Sequence, residues 1–327
     1  MPRRTALRRL LLPLVPLLLP PAARAQVPFP DRPLRLVIPF PPGGTNDIVG
    51  RLVTEGMAQR LGQPFVIENR GGAGGMLGAE VVAKAAPDGH TILLGGSGSL
   101  TITSLVHARV PYDVATAFAP IGLMGAGPNV IVVHPSLPVR DLRGLQALAR
   151  TASPALAYAS PGVGSTGHAA GAMILQALGV EMEHIPYRGT GPALNDLVAG
   201  RVQVFTNALA PMQPHVQAGT LRAIAVAGRG RSAAMPDLPT TAEQGFPEIE
   251  AATWFGLLAT GGTPPERVAT LHRALNAVLA EPEVRRRLLE GGVEVMPSES
   301  PAEFARFFAE DRARWAPVVR RANMRAE

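Results

Sequence analysis

Two glycine-rich segments carry the residue types that bind small anions. One reads VIPFPPGGTND over residues 37–47, and the other reads AYASPGVGSTGH over residues 157–168. Each runs from an apolar stretch through proline and glycine to residues that can cap a helix, Thr45 or Asn46 in the first and Ser165 or Thr166 in the second. The first N–H groups of a helix have no partner within it, and the helix dipole adds about half a positive charge there. Each segment is therefore predicted to form an anion-binding turn.

A third segment has a related order. It reads IPYRGTGPALNDL over residues 185–197 and places Tyr187 and Arg188 ahead of another predicted helix. A single turn of this kind usually only connects and caps neighbouring elements. Three such turns in one chain favour a binding cleft.

Nucleotide binding is the main rival for the second turn. Residues 162–167 read GVGSTG and match the G-x-G-x-x-G fingerprint of dinucleotide sites. That fingerprint belongs to the first strand of a dinucleotide fold, whereas this copy lies in mid-chain and Pro161 stiffens its entry. An anion-binding helix start accounts for the glycines without a nucleotide, so no cofactor is predicted.

Catalysis is the second rival. Ser165 and His168 lie three positions apart at a helix start and could meet on one face, which raises the alternative of an exported enzyme. The sequence contains no G-x-S-x-G elbow and no evident orienting acid. We therefore predict a capping serine, a cleft-lining histidine and no catalytic residue. The seven histidines show no spacing typical of a zinc site, so no metal is predicted either.

The elements that must position these turns alternate between strand and helix patterns. Predicted strands cover residues 34–40, 64–70, 90–96, 129–135, 155–160, 181–187, 202–208 and 221–228, and predicted helices cover 46–61, 76–85, 141–150, 168–178 and 192–199. This alternation predicts an α/β fold with mostly parallel sheets covered by helices on both faces. A chain of this length is expected to form two lobes.

The N-terminal segment indicates export. Residues 1–25 combine a basic start, a short apolar run and an Ala-Arg-Ala ending, which predicts a signal peptide cleaved near Ala25 and a periplasmic protein. A retained anchor is the alternative, and the choice between the general and twin-arginine export routes stays open. Without the five arginines of this segment, the chain has 26 of its 31 basic residues and 25 acidic residues. The remaining charge is near zero, and Arg285–Arg287 lie among glutamates on a predicted helix, so no nucleic-acid partner is predicted.

The motifs taken together resemble a known family. The segments FPPGGTNDIVGRL, VIENRGGAGGMLGAEVVAKAAPDGHTILL, YASPGVGSTGHAAG, IPYRGTGPALNDLVAGRVQV, MPDLPTTAEQGFP and WFGLLATGGTPPERV follow, in order, the pattern of the Bug family. Bug proteins are the extracytoplasmic solute-binding components of tripartite tricarboxylate transporters. The resemblance covers almost the whole chain after the signal peptide.

The resemblance implies a type II periplasmic binding-protein fold, in which crossing strands join two α/β lobes around a central cleft. It implies a first lobe of residues 26–128 and 252–327, a second lobe of residues 129–251, and crossings near residues 126–132 and 248–256. It implies a small carboxylate as ligand, the membrane components of a tripartite transporter as partners, and a monomer. The candidate ligand-binding residues are Pro42, Gly43, Gly44, Thr45, Asn46, Asp47, Ser97, Ser160, Gly162, Gly164, Ser165, Thr166, His168, Tyr187 and Arg188.

Two questions stay open at the level of sequence. Residue spacing does not place the far wall of the cleft, so the identity of the carboxylate is undetermined. A ligand sensor that docks on a signalling receptor would present the same motifs as a transport protein. Trp254 and Phe255 are interpreted as core or hinge residues, with stacking on the ligand as the alternative.

Overall fold

The computed structural model describes residues 28–325, so the predicted signal peptide lies outside the described residues. Within that range, none of the helices combines the length and the apolar character that crossing a bilayer requires. The strands form one continuous mixed sheet of ten strands, which divides into two groups.

The first group of strands lies at one end of the sheet, in the order β2-β1-β3-β9-β4. The bounds of its strands are β1 Leu34–Ile38, β2 Phe65–Asn69, β3 Thr91–Gly96, β4 Phe118–Val133, β9 Ala252–Thr260 and the short β10 Glu294–Val295. Strand β1 pairs in parallel with β2 and β3, whereas β9 runs antiparallel to both β3 and β4. Strand β10 pairs antiparallel with β4.

Strand β4 joins the two groups. Its residues 118–128 pair with β9, and its residues 129–133 pair antiparallel with two strands of the second group. The second group consists of β5 Ala157–Ser160, β6 Glu183–Pro186, β7 Val204–Ala208 and β8 Arg222–Val226. Strand β5 pairs in parallel with β6 and β7. The crossing predicted near residues 126–132 therefore coincides with the change of partners along β4.

Helices cover both groups of strands. Their bounds are α1 Thr45–Leu61, α2 Met76–Ala83, α3 Thr103–Val106, α4 Leu142–Thr151, α5 Thr166–Leu178, α6 Thr190–Val198, α7 Gln213–Gln217, α8 Pro265–Leu279, α9 Pro282–Glu290 and α10 Pro301–Arg321. A 3₁₀ turn at Ala73–Gly75 precedes α2, and a buried π-helical turn at Ser97–Ile102 precedes α3. The five predicted helices are all present.

Two expectations about the strands are wrong. The sheet is mixed, because β4 and β9 make antiparallel pairs in its middle, whereas the alternation of elements predicted mostly parallel pairing. The strand predicted at residues 129–135 is the second half of a 16-residue strand. Its first half reads FAPIGLMGAGP. Glycine and proline are rare in strands, so this stretch carried no recognisable strand pattern. The β4–β9 register shifts twice along this half, between residues 120 and 122 and between 123 and 125.

The last helix contacts the cores of both groups. Phe304 and Phe308 of α10 pack in a cluster with Trp254 and Leu93, and Trp315 packs two turns later in a cluster with Ile131 and Tyr158. The interpretation of Trp254 and Phe255 as core residues is consistent with side chains that are 2% and 0% exposed. The two lobes stay a prediction, the first with residues 26–128 and 252–327 and the second with residues 129–251. In this division, α10 belongs to the first lobe and its C-terminal half packs against the core of the second.

Candidate functional site

The two predicted anion-binding turns lie on opposite walls of one cleft between the strand groups. The cleft encloses about 500 Å³ of empty space, including its open mouth. It is lined by Phe40, Pro41, Gly44, Thr45, Asn46, Gly96, Gly98, Ser99, Pro161, Ser165, Thr166, Thr190, Asn207, Ala208, Thr253 and Phe255. The walls are close together, because a Cβ atom on Gly44 would lie 3.5 Å from Oγ1 of Thr190. None of these lining side chains is ionisable.

Helix α1 starts without a side-chain cap. Its N-cap is Gly44, and no side chain accepts a hydrogen bond from its first turn. The expectation that Thr45 or Asn46 caps this helix is wrong, because both residues already lie inside its first turn, where their side chains cannot fold back as a cap. Oγ1 of Thr45 is instead buried with no partner among residues 28–325, on a residue that lines the cleft.

Asp47 holds the first turn in place from behind. Its Oδ2 accepts a 3.2 Å hydrogen bond from the N–H of Gly43, and its Oδ1 accepts bonds from Arg51 Nε at 3.0 Å and Asn69 Nδ2 at 3.1 Å. Asn69 Nδ2 also donates to the carbonyl oxygen of Phe40 at 3.0 Å. Burial alone would raise the pKa of Asp47, but the bonds from Arg51, Asn69 and Gly43 together hold it below its ordinary value. A charged carboxylate therefore stabilises the loop.

Helix α5 starts with the predicted serine cap. Oγ of Ser165 accepts a 3.2 Å bond from the N–H of His168 and donates a 2.7 Å bond to the carbonyl oxygen of Gly162. Gly162 and Gly164 adopt φ values of 139° and 81°, which L side chains rarely adopt. The second turn therefore needs glycine at both positions, and the capping prediction for Ser165 is confirmed by this geometry.

Four backbone amides at the two helix starts lack a protein acceptor among the described residues. Within the described range, the N–H groups of Thr45, Asn46, Thr166 and Gly167 have no hydrogen-bond acceptor. Thr166 N lies close to the opposite wall, since a Cβ atom on Gly98 would be 3.1 Å from it. Because each helix start also carries a partial positive charge, the arrangement can hold a negative group without any cationic side chain.

His168 lies behind the second turn and outside the cleft. Its ring stacks on that of His184 at a centroid distance of 4.1 Å, and its Nδ1 accepts a 3.3 Å bond from the N–H of Gly164. His184 Nε2 in turn bonds Ser160 Oγ at 2.7 Å. Burial and the neighbouring His184 lower the pKa of His168 to about 3, and burial lowers that of His184 to about 4. These neutral rings support the turn from its far side.

Ten of the fifteen predicted site residues do not line the cleft. Gly43, Asp47, Ser160, Gly162, Gly164 and His168 support the two turns as described, and Pro42 belongs to the first turn without contributing to the wall. Ser97 Oγ accepts from the N–H of Trp254 at 3.2 Å. Tyr187 OH donates to Asp196 Oδ2 at 2.8 Å, and the side chain of Arg188 is exposed. The structure thus brings Gly44, Thr45, Asn46, Ser165 and Thr166 together at the cleft.

The opposite walls contain residues that sequence reasoning missed. Asn207 Nδ2 donates a 2.8 Å bond to Thr190 Oγ1, so these two side chains form one polar surface in the cleft. Thr253 Oγ1 donates at 3.1 Å to Asn129 Oδ1, which links the cleft to the point where β4 changes partners. Phe40 and Phe255 add apolar surface. Only Thr190 carried a sequence signal, as the hydroxyl residue of the third glycine turn.

In the part of the chain that the structure describes, no group of three or more histidine, aspartate or glutamate side chains could hold a metal ion. The ring of His168 does not bond the hydroxyl of Ser165 there, because that hydroxyl is committed to Gly162 and to the backbone of α5.

The fold and the cleft define a class of protein, the type II periplasmic solute-binding proteins, in which a ligand lies between two α/β parts. Residues 49–324 match the family described as the tripartite tricarboxylate transporter family receptor, and the chain belongs to that family. It is similar to the periplasmic binding protein BugD, with 34% identity, a TM-score of 0.86, and coverage of 91% of this chain and 100% of BugD. The expected Bug family membership and fold are confirmed.

Two further solved structures contain carboxylates. The R. palustris protein Rpa4515, solved with adipate, is 36% identical with a TM-score of 0.88 and covers 91% of this chain and 99% of its own. MatC from Rhodopseudomonas palustris, solved with bound malate, is 35% identical with a TM-score of 0.85 and covers 89% of this chain and 100% of its own. The protein is therefore a periplasmic solute-binding protein of the tripartite transporter type.

Proposed function

We propose that the cleft binds a small carboxylate and that the protein delivers it, chemically unchanged, to the membrane components of a tripartite transporter. The observation that supports this most directly is the pair of helix starts with unpartnered amides at Thr45, Asn46, Thr166 and Gly167. The adipate and malate in the related structures are anions of the expected kind.

The energetics of such a site are sufficient for a transport protein. A hydrogen bond to a charged group contributes about 1.5–3 kcal/mol, and micromolar affinity corresponds to about −8 kcal/mol. Four amide bonds would reach that range, and ordering and closure costs would then reduce it. We expect dissociation constants in the micromolar range, with the carboxylate between α1 and α5.

The residues of the site are proposed to fall into two sets, those that contact the bound carboxylate and those that support them. The amides of Thr45, Asn46, Thr166 and Gly167, together with Oγ1 of Thr45, are proposed to bind the carboxylate. The remaining part of the ligand would contact Thr190, Asn207, Phe40 and Phe255 on the other walls. Pro42, Gly43, Asp47, Ser97, Ser160, Gly162, Gly164 and His168 are proposed to act by shaping the turns or crossing strands, and Tyr187 and Arg188 to act at the cleft rim.

We further propose that a signal peptide is cleaved near Ala25 and that the protein is a monomer that catalyses no reaction. We propose that its two lobes divide near residues 128 and 251 and close around the ligand. Hinge closure of two such parts is the usual response of periplasmic binding proteins to their ligands.

A thermal-shift screen followed by calorimetry tests the proposal. Adipate, malate and a set of related mono- and dicarboxylates would be compared with their amide analogues, which keep the shape and lose the charge. A ligand at about one hundred times its dissociation constant should add about 2.7 kcal/mol of stability. Recovery of the hit unchanged after incubation would argue against turnover. A screen in which amides stabilise the protein as well as acids would refute carboxylate recognition.

A further inference from the structure

The glycine-rich loop of residues 70–75 meets the second anion-binding turn at the hydroxyl of Thr103. This loop follows β2 in the first strand group, whereas Gly164 follows β5 in the second group. Thr103 is fully buried, and its Oγ1 lies 3.1 Å from the carbonyl oxygen of Gly74 and 3.2 Å from that of Gly164. One side chain therefore bonds a backbone carbonyl on each side of the cleft.

The packing around Thr103 leaves no room for additional atoms. A Cβ atom on Gly74 would overlap the carbonyl oxygen of Val163 and lie 2.6 Å from Thr103 Oγ1. A Cβ atom on Gly164 would lie 2.7 Å from the same hydroxyl. Both glycines also have positive φ values, of 65° and 81°. The direct backbone contact between the loop and the turn thus depends on glycine at both positions.

The chemistry of this contact differs between a joined and a separated arrangement of the two groups. A threonine hydroxyl has one proton to donate, so the two carbonyls share it. If the groups separate, the carbonyl of Gly164 leaves with the second group and gains access to water, and the hydroxyl keeps Gly74, which belongs to the same predicted lobe as Thr103, as its acceptor. Removal of the hydroxyl leaves both carbonyls without this donor while the groups are joined and only one of them after the groups separate, and an unmet buried carbonyl is costly.

We propose that Thr103 is a positioning residue that holds the loop of residues 70–75 against the turn of residues 162–165 and so favours the closed cleft. This inference rests on the proposed two-lobed function and adds a specific contact that biases it. Thr103 does not itself line the cleft, although its N–H donates to the carbonyl oxygen of Gly98, which does. Its hydroxyl therefore acts on the ligand through the position of the α5 turn.

Distance measurements in ligand-free protein test the proposal. The chain has no cysteine, so Glu55→Cys on α1 and Asn195→Cys on α6, both exposed positions in opposite groups, provide a clean pair for spin labels. We expect Thr103→Val to lower the ratio of short to long inter-label distances about fivefold, the factor expected for one net hydrogen bond. Thr103→Ser retains the hydroxyl and should keep the distribution of the unsubstituted pair.

Thr260→Val is the matched control. Thr260 is buried, and its Oγ1 donates at 2.9 Å to the carbonyl oxygen of Val82, so the bond lies within the first group. This variant should lose stability and keep the distance distribution. A distribution unchanged by Thr103→Val, an equal shift in Thr260→Val, no recovery in Thr103→Ser, or no short-distance population in the starting protein would each overturn the proposal. Because no ligand is used, its failure is distinguishable from a failure of carboxylate binding.

Discussion

The indole Nε1 of Trp254 donates a 2.7 Å hydrogen bond to Oδ2 of Asp311. The same oxygen accepts a 2.8 Å bond from Thr101 Oγ1, and Oδ1 accepts a 3.0 Å bond from Arg314. The side chain of Asp311 is only 2% exposed. One buried carboxylate thus joins α10 to strand β9 and to the π-helical turn, at the junction of the two strand groups.

Replacing Asp311 with asparagine should destabilise the whole protein. The substituted amide presents a donor where the carboxylate accepted hydrogen bonds, and a bond to a charged acceptor is worth about 1.5–3 kcal/mol. We expect a loss of about 2 kcal/mol in the free energy of unfolding, measured by urea denaturation followed by circular dichroism. Asp237→Asn at an exposed position is the control. Equal unfolding midpoints for the two variants would contradict the structural role of Asp311.

Replacing Gly44 with valine should block the cleft without disrupting the fold. Gly44 has a φ of −86°, which any residue adopts, and its side-chain direction points toward Thr190 across the cleft. We expect at least a tenfold weaker binding of whichever carboxylate the screen identifies, with a small change in melting temperature. Gly230→Val, at a position with open space around it, is the control. If calorimetry shows the same affinity in Gly44→Val as in the original protein, the ligand does not bind at this wall.

Replacing Asp47 with asparagine tests the support of the first turn. The variant loses the charge that Arg51 and Asn69 contact, so the Gly43 amide and the loop around it become less ordered. We expect a stability loss of about 1 kcal/mol, reduced by the solvent exposure of Arg51, and weaker ligand binding.

The pH dependence of the Asp47 effect has a definite sign. Because the folded pKa is lowered, the stability that Asp47 contributes is present above its unfolded pKa and is lost as pH falls through the folded value. The difference between the original protein and Asp47→Asn should therefore shrink in acid. A difference that grows as the pH falls would show that the carboxylate is not the stabilising form.

The stacked histidines predict a loss of stability in mild acid. The unfolded chain binds protons at these rings below about pH 6.5, whereas His168 and His184 resist protonation down to about 3 and about 4 in the fold. Stability is therefore complete above the unfolded pKa and falls as pH drops toward the folded values. His168→Gln should flatten that decline by up to about 1.4 kcal/mol per pH unit.

Urea unfolding at several pH values between about 7 and 5 measures this decline. His215→Gln is the control, because its ring bonds Thr220 at the exposed surface. If both variants show the slope of the original protein, the buried pair does not carry the pH dependence.

Local features of the site could be predicted because the interactions that create them are local. Ser165 caps α5 through a bond to a residue three positions away, and the φ values of Gly162 and Gly164 are requirements of the same short turn. The cap predicted at Thr45 or Asn46 was wrong because a shift of one residue in the helix start moves these side chains into the first turn.

The far wall of the cleft and the supporting contacts could not be predicted in this way. Asn207 and Thr190 are 17 residues apart, and Thr103 bonds partners 29 and 61 residues away. His168 was expected in the cleft, but the orientation of its ring on α5 depends on the stack with His184 from strand β6. The antiparallel pairing in the middle of the sheet could not be predicted from sequence either, because an apolar stretch indicates a strand but not its direction.

The amino-acid sequence by itself determined the glycine turns, the serine cap of α5 and the family pattern, because capping and backbone freedom act over a few neighbouring residues. The tertiary structure alone decided which turns share a cleft, which side chains face it and which stand behind it. That decision depends on long-range strand pairing and on packing at the junction around β4, β9 and α10, where residues distant in sequence become neighbours.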